Sequence, residues 1–481
     1  MLFNTQGYLV FFLLVVLMYF ILPKAWRWVL LLIGSYFFYM NWNAYYAILM
    51  MVSTGITYAS GLLLSNTDSK GRKKLILAIS LISNLGILFV FKYYGFFREN
   101  MEALAELLKV GNAFPELNIL LPVGISFYTF QALSYSLDVY YDKIKPERHF
   151  GIYALYVSFF PQLVAGPIER STNLIPQLEK SKDFDYSNFR RGLALIAFGL
   201  FKKMVIADRL SVLVNTIYND PESFTGVSLY IATLFFAFQI YCDFSGYSDI
   251  AIGSARVLGI DLMKNFDRPY FAKSIGEFWQ RWHISLSTWF RDYLYIPLGG
   301  NRAGRFRVFI NLMITFLVSG LWHGASWNFV IWGGLHGFYL IIERLLKVNK
   351  VNTRVLSFGA KMPRVLLTFA LTCFAWIFFR ANTLSDSYYI ISHLHLKNIR
   401  ILFDGSLYTY GLNAQEFWVA SISIIVLLVI HFIQRRKHLA EWLFLQPWYF
   451  RWPVYTLVAM VVIFFGVYGN FQPSQFIYFQ F

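Results

Sequence analysis

Two histidines in this chain lie where an imidazole is hardest to accommodate. His323 sits in "LVSGLWHGASWNF", residues 317–329, with Trp322 and Trp327 on either side and Gly320 and Gly324 close by. His283 sits in "SIGEFWQRWHISLSTWFRDYLYIPLGG", residues 274–300, among Trp279, Trp282 and Trp289. An unperturbed imidazole titrates near pH ~6.5, so it can take a proton from a hydroxyl at ambient pH. An ionisable residue inside an apolar run is a functional candidate by default, because such placement is costly. His323 is therefore a candidate general base. The other reading is a buried histidine satisfied by a backbone carbonyl, and position alone leaves both open. For His283, the apolar side chains Trp279, Trp282, Leu286 and Trp289 follow a roughly helical period, opposite the polar Glu277, Arg281, Ser285 and Arg291. Residues 276–290 are thus expected to form an amphipathic helix. It either lies in the membrane interface with its indoles at headgroup level, or folds into a central cavity with His283 on the wall.

The remaining chemistry-bearing residues are fewer. "YCDFSGYSDIAIG", 241–253, carries Asp243 and Asp249 into an apolar setting, where carboxylates need partners; Arg256 and Arg268 are near in sequence. An ion-pair role, a catalytic role and an ion-coupled transporter all fit them. Of eight histidines, His149, His393, His395 and His438 fall in or near loops. His431 ends an apolar run before basic residues, and His336 in "GGLHGF" could simply pack against a neighbouring helix. The two cysteines, Cys242 and Cys373, form neither a disulfide framework nor a metal-ligand spacing, so no metal is expected. The chain lacks a G-x-S-x-G elbow, a Walker-A loop and an H-E-x-x-H helix.

These residues must be held by membrane-spanning helices. Of 481 residues, 57% are hydrophobic and 20% aromatic, against roughly 45–50% apolar in soluble chains. Thirteen apolar runs extend from 7–22 to 454–469. Several are short or broken by Gly and Pro, so about eleven true crossings are expected. The run around Pro161 and Pro167, "FFPQLVAGPIE", reads as re-entrant, a backbone tolerated only inside protein or beside a wet cavity. The N-terminus has no basic leader and no small-residue cleavage site, so residues 7–22 are read as a retained first helix.

The formal charge of +16 does not imply nucleic acid, because the basic residues fall in short loops between apolar runs. That distribution suits anionic lipid and the positive-inside rule. Lys24 with Arg27, "KGRKK" at 70–74 and "KIKPERH" at 143–149 alternate with the non-basic "NWNA" at 41–44 and "ENMEALAE" at 99–106. The N-terminus is therefore expected outside the cytoplasm. "NRAGRFR" at 301–307, "ERLLKVNKVNTR" at 343–354 and "QRRK" at 434–437 are expected inside. Residues 308–342 lie between two of these same-side loops, so they must go in and come back as a hairpin. Its arms are about 16 residues, or roughly 24 Å. His323 falls at the bend, where Gly320 and Gly324 permit close backbone approach.

"PQLVAGPIER" at 161–170, the long segment 241–302 and "LVSGLWHGASWNFVIWGGLHG" at 317–337 closely resemble the membrane-bound O-acyltransferase family. They resemble in particular the membrane subunits of bacterial alginate and peptidoglycan O-acetylation systems. The resemblance runs over nearly the whole chain. It implies one integral-membrane acyltransferase domain over residues 1–481, an all-α polytopic protein with helices in a ring around a central funnel. It places His323 at the family's signature histidine and His283 at its second polar position. It implies acetyl-CoA as a cytoplasmic donor substrate, with no tightly bound cofactor. It also implies a bacterial inner membrane location, an exported SGNH-type acyltransferase and polysaccharide assembly proteins as partners. On this reading Trp279, Trp282, Trp322, Trp327, Asp243 and Arg291 line the donor and substrate channel. Backbone amides near Gly320 or Gly324, or the Trp322 and Trp327 indoles, would stabilise an oxyanion. A thioester carried into a narrow channel is shielded from bulk water. Two alternatives stay open: D-alanyl transfer from a carrier protein to teichoic acid, and a transporter or flippase without chemistry.

Overall fold

A computed structural model of the chain describes residues 1–468, apart from 112–113, 118, 165, 303, 349–356 and 436–438. His438, and the basic positions from 349 to 354 and at 436 and 437, lie outside the described residues, as does the last position of the 454–469 run. All regular structure among the described residues is helical. The first part comprises α1 (Gln6–Ile21), α2 (Arg27–Met40), α3 (Tyr46–Ser65), α4 (Lys70–Leu88) and α5 (Tyr94–Leu108), with a π-helical turn, Phe89–Tyr93, joining the last two. Then follow α6 (Ile125–Tyr140), α7 (Phe150–Ser158), α8 (Phe160–Leu163) and α9 (Ser171–Glu179). Next are α10 (Tyr186–Leu200), a second π turn (Phe201–Ala207), α11 (Asp208–Tyr218) and α12 (Val227–Val257). The site region holds α13 (Ile275–Trp279), α14 (Ile284–Phe290), α15 (Arg305–His323) and α16 (Trp327–Leu345). The last part is α17 (Phe358–Arg380), α18 (Leu384–Ser392), α19 (Ala414–Gln434), α20 (Leu439–Phe444) and α21 (Trp448–Phe465).

Among the described residues, seven helical segments are long and apolar enough to cross a membrane: α3, α4 continued into α5, α12, α15, α17, α19 and α21; α1 is apolar but shorter. Several of the other helices are shorter and face protein. In α6 every residue from Ile125 to Val139 is buried, including Ser126, Gln131, Ser134 and Asp138. Such a helix meets protein, so it can carry polar side chains that lipid would reject. Ser60 and Ser80 both reach Ser136 of α6, at 2.8 and 3.2 Å, tying α3, α4 and α6 together. The short α7 and α8, separated by a break at Phe159, are almost wholly buried, in keeping with the re-entrant reading of this proline-containing stretch.

The central helix is α12, and α10 lies against it with almost no separation. A Cβ at Gly199 would stand 2.6 Å from the Gly246 carbonyl, and one at Gly253 would stand 2.7 Å from that of Gly192. This close crossing buries the charges of the second π turn. Lys203 contacts Asp208 at 2.8 Å and Asp243 at 2.6 Å, and Lys202 contacts Asp249 at 2.6 Å. The expected partners of the two aspartates are therefore corrected. Arg256 pairs instead with Asp261, and Arg268 with Asp267. The sequence suggested the nearest arginines along the chain, whereas helix crossing brings lysines from some forty residues earlier.

The expected hairpin is present. α15 and α16 are antiparallel arms of 19 residues each, joined by the short turn 324–326. Arg344 at the far end of α16 bonds Asn301, just before α15, at 2.8 Å, so both termini share one end of the bundle. A Cβ at Gly320 would lie 2.2 Å from the Phe329 carbonyl, and one at Gly333 would lie 2.2 Å from that of Phe316.

Candidate active site

His323 is the last residue of α15, and it is 2% exposed. His283 is fully buried, and its ring centroid lies 6.4 Å from that of His323. The expectation of one continuous amphipathic helix over 276–290 is corrected here. α13 ends at Trp279, α14 begins at Ile284, and His283 occupies the break with φ +43. A left-handed conformation is uncommon outside glycine and persists only when the surroundings enforce it. Asn265 supplies the enforcement. Its carbonyl accepts from the Ile284 amide at 2.8 Å. Its side-chain oxygen accepts from the Ser285 hydroxyl at 2.9 Å and the Ser285 amide at 3.3 Å.

These contacts assign a tautomer to His283. The Asn265 atom facing Ser285 N–H must be oxygen, and its amide nitrogen donates to Ser248 Oγ at 3.0 Å. His283 Nδ1, 3.1 Å from that oxygen, must then carry the hydrogen. The imidazole lone pair is left on Nε2, the nitrogen able to accept a proton or a hydroxyl hydrogen bond.

Aromatic rings enclose the pair. Phe244 meets His283 edge-on at 4.6 Å, and Trp322 and Trp332 meet His323 at 5.0 and 4.9 Å. Trp332 stacks on Trp376 at 5.8 Å, which in turn packs on Trp282 at 5.0 Å. Trp279 donates its indole hydrogen to Nδ1 of the buried His336 at 3.3 Å. The indole N–H groups of Trp322 and Trp332, both against His323, are buried without a hydrogen-bond acceptor among the described residues. Buried donors are normally satisfied, so these two could hydrogen-bond an oxygen-bearing ligand beside the imidazole.

The structure brings Trp322 against both rings, whereas Trp279 meets His336 and Trp282 packs on Trp376. Trp327 is 52% exposed, its indole donates to Asn100 at 2.9 Å, and it lines a cavity together with Trp322. Asp243 lies in the ion-pair cluster with Lys203. Arg291 is largely exposed and pairs with Asp292 at 2.8 Å. Sequence reasoning passed over Asn265, Trp332, Trp376 and Lys92. Lys92 gave a usable signal, being the one charged residue between Leu75 and Tyr94 of the apolar run 74–94. Asn265 gave none, because a neutral amide in a loop is ordinary until the chain folds back on it.

Fold and site together define a multi-pass helical membrane protein with a buried, aromatic-walled imidazole pair, His323 lying at the bend of a hairpin. The chain belongs to the membrane-bound O-acyltransferase family, whose model it matches over residues 149–385. It is 38% identical over 427 residues to a peptidoglycan O-acetyltransferase of Helicobacter pylori, covering 80% of this chain and 78% of that protein. It is 39% identical over 394 residues to the probable alginate O-acetylase AlgI of Pseudomonas aeruginosa, covering 80% and 73%. A teichoic acid D-alanyltransferase of Streptococcus thermophilus is 30% identical over 287 residues, covering 56% and 68%. The chain is an O-acyltransferase.

Proposed function

We propose that this chain moves an acetyl group from cytoplasmic acetyl-CoA to an acceptor on the far side of a bacterial inner membrane. The acetyl group serves the O-acetylation of an extracytoplasmic polysaccharide, with an exported SGNH-type acyltransferase as partner. The observation that carries this reading is the 6.4 Å separation of two buried imidazoles, His283 and His323, inside an aromatic cage. A general base must come within hydrogen-bond reach, about 3 Å, of the proton it abstracts. Two rings this close can serve one reacting group. In the proposed step His323 takes the proton of an acceptor hydroxyl, whose oxygen attacks the thioester carbonyl. The carbon–sulfur bond breaks, and the thiolate leaves as CoA after protonation. His283 orients the reacting groups through Nε2, and indole N–H groups support the developing oxyanion. The higher identity and coverage of the O-acetylation relatives favour acetyl over D-alanyl cargo.

The test is purified protein with radiolabelled acetyl-CoA. His323→Gln keeps bulk and hydrogen bonding but cannot act as a base near neutral pH. It is expected to lose about 10²–10⁴ in acetyl transfer at unchanged protein level. Transfer at the wild-type rate by His323→Gln removes His323 as the base. Transfer from a D-alanyl carrier thioester but not from acetyl-CoA replaces the cargo.

A further inference from the structure

We infer that Lys92 is a positioning residue for His323, its ammonium capping the end of α15 and fixing the main chain that carries the imidazole. Lys92 Nζ donates to the carbonyls of Trp322 at 2.8 Å and His323 at 3.1 Å, and to Ser126 Oγ at 3.4 Å. An ammonium has three donors, so all are engaged within one catalytic neighbourhood. The last carbonyls of any helix lack intrahelical partners. At this end Gly324 N–H closes on the Gly320 carbonyl at 3.3 Å, so the carbonyls that follow it have no helical amide ahead of them, and Lys92 takes those of Trp322 and His323. Within a membrane, water cannot be relied on to do so. A cation also complements the negative end of the helix dipole. Lys92 therefore completes α15 at the residue where the candidate base is attached.

Two further features support the assignment. Lys92 is delivered by the π turn Phe89–Tyr93, whose Phe89 and Val90 are exposed to the surroundings while Lys92 points to the bundle. Such turns cluster at functional sites because the extra residue redirects a side chain. Lys92 also lines a 90 Å³ cavity together with Ser126 and Trp322, and its ammonium stands 5.8 Å over the Trp322 ring. The cavity is also lined by Trp42, in the connection between α2 and α3, and by Leu121, just before α6. Lys92 thus stands between this cavity and the His323 main chain, joining the α4–α5 turn, α6 and α15 at one point.

The inference rests on the proposed role of His323, and its test separates the two. Full-length protein is prepared with ¹⁵N-ring-labelled histidine, and the His323 signal is identified by its loss in His323→Gln. Lys92→Met is expected to shift or broaden that signal while leaving the peripheral His393 signal in place. It is expected to lower kcat for acetyl-CoA cleavage about 10–100-fold, the scale of a small misplacement of a catalytic group, with KM changed by no more than about twofold. Lys92→Arg, which keeps charge and donors, should restore most of kcat. If Lys92→Met does not accumulate, Lys92→Gln is read in the same way. An unchanged His323 signal with wild-type kcat overturns the inference. So does a rise in KM at constant kcat, which would make Lys92 a ligand contact. If wild-type protein leaves acetyl-CoA intact, the donor proposal fails, and the ring signals alone decide on Lys92.

Discussion

The side-chain amide of Asn265 decides which nitrogen of His283 can accept a proton. It receives Nδ1–H at 3.1 Å and is itself held by Ser285 and Ser248. Asn265→Leu removes the acceptor, frees the imidazole to take the other tautomer and loosens a left-handed residue. We expect its acetyl transfer to fall about tenfold or more, within the range of a misplaced acid–base group. Asn265→Asp keeps an acceptor oxygen and should fall less. Equal activity of Asn265→Leu and wild type, at equal protein level, would show that the tautomer does not matter. The histidines themselves were legible, since an ionisable ring in an apolar run has few innocent explanations. Their cage was not. The aromatic content is high everywhere, so Trp332, which meets His323, and Trp376, which stacks on Trp332, looked like ordinary core.

At the scale of elements, the hairpin of α15 and α16 carries His323 to its buried position. Its existence was readable because basic residues flank both arms and glycine marks the crossing. The break at His283 was not readable. A helical period of tryptophans continues straight through it, and only the Asn265 contacts from a separate loop explain why the helix stops. Gly320 is the firmest constraint on the hairpin. A methyl group there would sit 2.2 Å from the backbone oxygen of Phe329, which no rotamer change relieves. Gly320→Leu is therefore expected to force the arms apart, at a cost above the ~1–3 kcal/mol typical of core overpacking. The measurement is the yield of monodisperse protein in detergent. Gly304→Leu, where a Cβ meets nothing, should accumulate normally. Similar yields for both would mean that the arms do not cross as described.

The same reasoning applies to the bundle's charged centre. Lys203 is 1% exposed and shared by Asp208 and Asp243. Removing one partner of a buried pair typically costs about 3–5 kcal/mol because a charge is left uncompensated. Lys203→Met should therefore lower the unfolding temperature of detergent-solubilised protein far more than Lys24→Met. Lys24 also touches a carboxylate at 2.8 Å, but both groups are largely exposed, and such pairs contribute about 0–1 kcal/mol. The last prediction concerns the molecule in its membrane. The proposed route has a direction: the basic stretches at 70–74 and 301–307, by the positive-inside rule, would face the cytoplasm. The thioester should then be cleaved only from that side. Protein is sealed into vesicles whose orientation is fixed by protease protection of an engineered site in the 66–70 loop. Acetyl-CoA, which does not cross the bilayer, is supplied outside. Vesicles with that loop outward should release free CoA, and vesicles with it inward should do so only after permeabilisation. Equal release from both intact preparations would mean that the donor reaches His323 from either face, and the one-sided route proposed here would fall.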